Sequence, residues 1–225
     1  METSYGEWFQ REVEKGIAAA DRDDFIDYEE LSRRLNKYLS ARAALTDEEF
    51  EELSERTELV KLERAKDGKI IVNSRSGGNT SSANAAIIYQ LGNWWHQHRR
   101  GSAVGSNAGF FLPDGSSLSS NAAYVTTEQM SGVTKEDREH FLRLTPAFVI
   151  ELMPASDTLA ETIGRMEQWI ANGALLGWLI DPYQRNVWVY EAGQEPRLET
   201  ADRVAGTGPV AGFVLELADL WSQYI

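Results

Sequence analysis

The chain has no cysteine. That removes disulfides, thiolate nucleophiles and cysteine zinc sites from consideration. It also lacks a run of eighteen apolar residues and a recognisable signal peptide, so the expectation is a cytoplasmic protein with no membrane association. Basic residues are in short supply, 22 against 35 acidic, for a formal charge of -13. Such a balance argues against tight, nonspecific attraction to phosphate backbones or anionic lipid. What remains is an ordinary globular composition: 225 residues, 42% hydrophobic and 10% aromatic, enough for one sizeable core and a small appendage.

The acidity is uneven. Residues 1–56 carry 16 acidic and 8 basic residues, net -8, whereas residues 57–225 carry 19 and 14, net -5. This acidic front reads as helical, with Trp8, Val13, Ile17 and Ala20 at helical spacing, then Leu31, Leu35 and Leu39 on a second helix. Thr46 with Glu49 matches a capping box, which predicts a third helix over about 47–55. The expected division is an acidic helical extension over 1–44 and a second domain over 45–225.

From Thr57 the pattern becomes β-rich. TELVKLER and KIIVNS flank Lys66-Asp67-Gly68, a hairpin signature. RSGGNTSS reads as a loop feeding a long helix over about 82–99 that carries Ile87, Ile88, Leu91, Trp94 and Trp95. Two strands are expected from SAVGSNAGFFLP and AAYV around a turn at Asp114-Gly115, and TKEDREHF reads as a short surface helix. AFVIELM is expected to be a buried central strand. SDTLAETIGRMEQWIANG follows as an amphipathic helix capped by Ser156 or Asp157 and stopped at Gly173, with Leu159, Ile163, Met166 and Ile170 as its stripe. LLGWLIDP returns as a parallel strand, NVWVYE adds an antiparallel partner, and FVLELADLW is expected to close the sheet. The fold class is α/β (α+β): a mixed β-sheet flanked by helices.

Glu151 is the informative residue. An ionisable side chain within FVIELM is costly to bury unpaired, so it reaches solvent by simple alternation with Val149 and Met153, or it meets a cation. Other constellations are weaker. His96 and His98 lie two apart on a helix, unlike an i, i+4 zinc pair, and His140 stands alone. RSGGNTSS lacks the lysine and the spacing of a P-loop. Trp169, Trp178 and Trp188 sit at core spacing and read as packing residues.

The order of elements, with LTDEEFEEL, the glycine pair before the long helix, NAGFFLPDG, NAAYV, FVIELMPASD, MEQWIAN with Gly173 and LGWLIDP, resembles the PD-(D/E)xK nuclease core. It is specifically similar to the Uma family of restriction-endonuclease-like proteins, over residues 45–223. That resemblance implies a restriction-endonuclease-like fold and Mg²⁺-dependent hydrolysis of DNA. The family aspartate and glutamate hold a divalent cation, a lysine orients or activates the attacking water, and a further glutamate lies near the start of the long helix. Hard cations want anionic oxygen ligands, and the bound ion acidifies water and offsets charge on the phosphate.

By the same resemblance, the catalytic positions fall on Glu151, Asn121, Arg165 and Asn79, with Glu151 and Asn121 as the metal positions. Glu151 matches the family glutamate. The aspartate of an SPD-like motif falls on Asn121 in Ser119-Ser120-Asn121, the helix glutamate on Asn79, and the lysine on Arg165, with Met153 at the alternative position. An amide donates oxygen without charge, and a guanidinium is too basic to act as a base. Each lost carboxylate removes an attraction of about 4 kcal/mol at 4 Å and an effective dielectric near 20, doubled for a divalent ion. Two readings follow: a decayed or repurposed nuclease, which is the simpler, or a cage rebuilt from Asp114, Glu58, Glu63 or Asp157. The resemblance makes DNA the partner and allows a homodimer. Residues 7–39 are also similar to the toxin-binding arm of ribbon-helix-helix antitoxins, which would make the N-terminal helices a docking segment for a protein partner, with Trp8, Ile17, Phe25, Ile26 and Leu31 on its apolar face.

Overall fold

A computed structural model describes residues 28–39, 45–57, 60–73 and 77–224. The helix expected around Trp8 to Ala20, the apolar positions Phe25 and Ile26, and Glu58 lie outside the described residues. The chain forms two compact units, Met1–Arg75 with Gly115–Ser117, and Ser76–Asp114 with Leu118–Ile225.

In the first unit, α1 (Tyr28–Leu39) and α2 (Asp47–Glu55) accompany a hairpin of β1 (Lys61–Arg64) and β2 (Ile70–Asn73). The expected capping box is present: Thr46 Oγ1 accepts from Glu49 N, and Thr46 N donates to Glu49 Oε2 at 2.8 Å. The hairpin forms where Asp-Gly permits it, Gly68 standing at φ 83°. Leu35 of α1 is fully buried. Asn36 treats the β2 edge as a strand would: its Nδ2 donates to Ile70 O at 2.7 Å and its Oδ1 accepts from Ile70 N at 2.8 Å. Buried Arg64 pairs with Asp47 and donates to Leu45 O and Gly115 O, which fixes the Gly115–Ser117 stretch within this unit.

The second unit is built on the long helix α3 (Gly78–His98) and strands β3 (Ser102–Gly105), β4 (Phe110–Phe111), β5 (Ser117–Leu118, through its second residue) and β6 (Ala122–Val125). These are followed by α4 (Thr127–Ser131), β7 (Phe148–Leu152), α5 (Leu159–Ala171), β8 (Leu176–Asp181), β9 (Asn186–Glu191) and β10 (Arg197–Glu199). The chain ends with β11 (Arg203–Ala205), β12 (Val214–Glu216) and α6 (Ala218–Ser222). Six strands form a sheet in the order β10-β9-β8-β7-β6-β3. Only β7 and β8 are parallel, joined by α5 as the crossover helix, as the sequence predicts. On one face, Ile87 and Leu91 of α3 pack over Phe148, Ile150 and Trp178. On the other, Met166 and Trp169 of α5 cover Val149 and Leu179. Gly177 lets α5 approach the sheet, because a Cβ there would meet Met166 Sδ at 2.2 Å.

Four element readings need correction. The long helix begins at Gly78, four residues early, because Thr80 and Ala83 already face the core at i, i+3 spacing with Ile87, leaving Ser81 and Ser82 outside. Its partner α5 is capped by Thr158, whose box with Glu161 satisfies the helix start, and not by Ser156 or Asp157. TKEDREHF yields only a 3₁₀ turn at Asp137–Glu139, since it has no buried residue. The short helix is α4, capped by Thr126 and Gln129. FVLEL does not close the sheet: β12 pairs with β11 in a separate two-stranded ribbon, whose Val204 and Leu215 reach the core. Among the described residues, no helix is long and apolar enough to cross a membrane.

Candidate active site

Alternation along β7 directs Phe148, Ile150 and Leu152 to the α3 face and Val149 and Glu151 to the α5 face. That second face is covered, so Glu151 is only 4% exposed. Arg165 and Trp169, one helical turn apart on α5, both point at the carboxylate. Arg165 Nε donates to Glu151 Oε1 at 3.0 Å, and Trp169 Nε1 donates to the same oxygen at 2.7 Å. A buried carboxylate is tolerated when charge-assisted donors replace its water, and these two do so. Of the two sequence alternatives for Glu151, solvent or a cation, the cation is present and it is a guanidinium.

The same arginine reaches further: its terminal nitrogen donates to Ser119 O and so ties α5 to Ser119-Ser120-Asn121. Asn121 then extends the ladder between β6 and β7. Its N–H donates to Ile150 O at 3.0 Å, and its Oδ1 accepts from Leu152 N at 2.8 Å. The two bonds bracket Glu151 along β7. Asn121, Glu151 and Arg165 therefore converge, while Asn79 lies exposed on the first turn of α3. Among the described residues, no bond joins Asn79 to the other three.

The carboxylates considered as replacements have other work. Asp114 exchanges two bonds with Asn172, both at 3.0 Å, and Asp157 accepts from Ser156 Oγ at 2.7 Å. Glu63 belongs to the first unit, where it accepts from Asn73. Asp181, at the end of β8, caps the following turn by accepting from Tyr183 N and Gln184 N. Burial above all, then the Tyr224 hydroxyl and the Asp181 carboxylate, push the Tyr183 phenol up. His96, His98 and His140 are exposed.

Trp169 is the site residue that a reading as core packing misses. It is fully buried and meets Phe110 edge-on at 5.8 Å, so the packing role is real, and the bond to Glu151 is additional. Its spacing of four from Arg165 on a helix facing β7 is the signal that marks it.

A family model described as "Putative restriction endonuclease" (Uma2) matches residues 47–218. No curated protein matches the chain. Among solved structures, the chain is similar to one described as a putative nuclease belonging to DUF820 from Anabaena variabilis. The TM-score is 0.66 at 20% sequence identity, covering 80% of this chain and 99% of that one.

Proposed function

Because the chain belongs to the Uma2 family, whose model spans most of it, we propose that it acts on DNA through a restriction-endonuclease fold with an impaired metal-dependent hydrolytic centre. One observation carries this reading: Oε1 of Glu151 receives both Arg165 and Trp169. A Mg²⁺ centre needs several oxygen ligands with net negative charge. Here the Glu151 carboxylate, at the junction of β6, β7 and α5, already faces a guanidinium, so the pair is close to neutral. The second ligand position is an amide, and its oxygen is engaged by Leu152 N–H. The donor set does not fit a divalent ion.

In this reading Arg165 serves as a fixed counter-ion for Glu151, and Asn121 as part of the backbone ladder. Both roles favour keeping the fold over gripping a cation. Incubation of the purified protein with supercoiled plasmid and Mg²⁺ or Mn²⁺ tests it. Intact plasmid is expected, and cleavage that disappears in Glu151→Gln would overturn the reading.

A further inference from the structure

We propose that the outward face of α3, with the adjoining edge strand β3, is the surface on which this protein takes duplex DNA. This rests on the reading of the chain as a DNA-acting member of its family, and it adds where the polyanion lies. The first observation is one of charge. The chain has 35 acidic residues, yet between Gly68 and Pro113 it has none, and Arg99 and Arg100 follow directly on the end of α3. The stretch holds the whole of α3 and β3.

The second observation is geometric. Ala83, Ile87 and Leu91 turn one side of α3 into the core, and Ser81, Ala85, Tyr89 and Asn93 follow one another at steps of four on the exposed side. Tyr89 is 72% exposed, an apolar ring held in water with no carboxylate along its own helix. Past Asn93 the face runs on to exposed His96, Arg99 and Arg100, where Arg99 meets His96 at 3.3 Å. One flank is β3, which is free of acids and lies at the edge of the sheet. The other is marked by Glu216, whose backbone exchanges bonds with Gln90.

A duplex carries dense negative charge, and a protein of net charge -13 repels it over most of its surface. Only a face cleared of carboxylates can approach closely. At a rise of 1.5 Å per residue, a helix of this length runs about 30 Å, the span of roughly nine base pairs at 3.4 Å per step. Serine, asparagine and tyrosine side chains donate to phosphate and sugar oxygens without requiring a sequence. Arg99 and Arg100 supply charge at one end of the contact.

The test is fluorescence anisotropy of an end-labelled duplex two helical turns long, titrated with the full chain in EDTA at several salt concentrations. Wild type is expected to bind. Ala85→Glu with Asn93→Glu is expected to weaken binding about tenfold or more through repulsion at the phosphates. Ala192→Glu with Ala201→Glu adds the same charge at exposed positions elsewhere and is expected to leave binding near the wild-type value. Arg99→Ala with Arg100→Ala should flatten the slope of log affinity against log salt by about 2. Wild-type binding that is indifferent to the changes on α3, or equally weakened by both glutamate pairs, overturns this inference and leaves the DNA reading standing. Absence of any wild-type binding overturns both.

Discussion

Trp169 donates its indole N–H to Glu151 Oε1 at 2.7 Å, from a ring that also packs edge-on against Phe110. Trp169→Phe keeps much of the packing and removes the donor. The expected loss is about 1–3 kcal/mol, the usual penalty for leaving a buried acceptor short of a partner. Urea denaturation at neutral pH measures it, and an unchanged midpoint would show that the bond contributes nothing.

Arg165 and Glu151 form the other half of this arrangement, with side chains 24% and 6% exposed. Arg165→Met leaves a buried carboxylate without its counter-ion and is expected to cost about 3–5 kcal/mol. Adding Glu151→Leu to that variant removes the stranded charge, so much of the loss should return. A double-mutant cycle reads the coupling directly, and additive effects would contradict a paired role.

Asn121 offers a sharper comparison. Its Oδ1 accepts from Leu152 N, so Asn121→Ala orphans a buried N–H at a cost of about 1–3 kcal/mol, whereas Asn121→Asp retains an acceptor. The alanine variant should melt well below the aspartate variant. Equal melting temperatures would mean that the side chain does not complete the β6–β7 ladder.

The start of α5 predicts an acid-side effect. The bonds from Thr158, backbone first and hydroxyl second, hold the Glu161 carboxyl below its ordinary value of 4.5. A lowered folded-state pKa contributes stability above the unfolded value that is lost as pH falls through the folded one. Wild type should therefore lose this contribution below about pH 4.5, while Thr158→Ala keeps the backbone donor, lacks the hydroxyl's smaller share at neutral pH and shows a somewhat shallower acid slope. Parallel melting curves for the two proteins from pH 7 to pH 3 would contradict the assignment.

Much of this was legible in the sequence, for identifiable reasons. Local chemistry announced α2 through its capping box, the β1–β2 hairpin through Asp67-Gly68, and the β7-α5-β8 crossover through apolar runs either side of an amphipathic helix. Glu151 stood out because a carboxylate in an apolar strand demands a partner. The partner itself was only half legible. The family resemblance put Arg165 nearby, but Trp169 read as packing because a buried indole looks the same with or without an acceptor. Asn121 shows the other limit: an amide matched to a ligand position also satisfies a backbone N–H, and only the register of β6 against β7 reveals it. The early start of α3 escaped notice because its first turn is built from glycine, serine and asparagine, residues that favour loops until buried Thr80 and Ala83 hold them.

The central claim, that Glu151 is occupied by Arg165 and Trp169 and does not hold a divalent metal ion, is tested most directly by titrating Mn²⁺ into the metal-free protein in a calorimeter. The account predicts no saturable heat at this centre and no rise in melting temperature with added ion. A saturable isotherm for the wild-type chain that disappears in Glu151→Gln would contradict it.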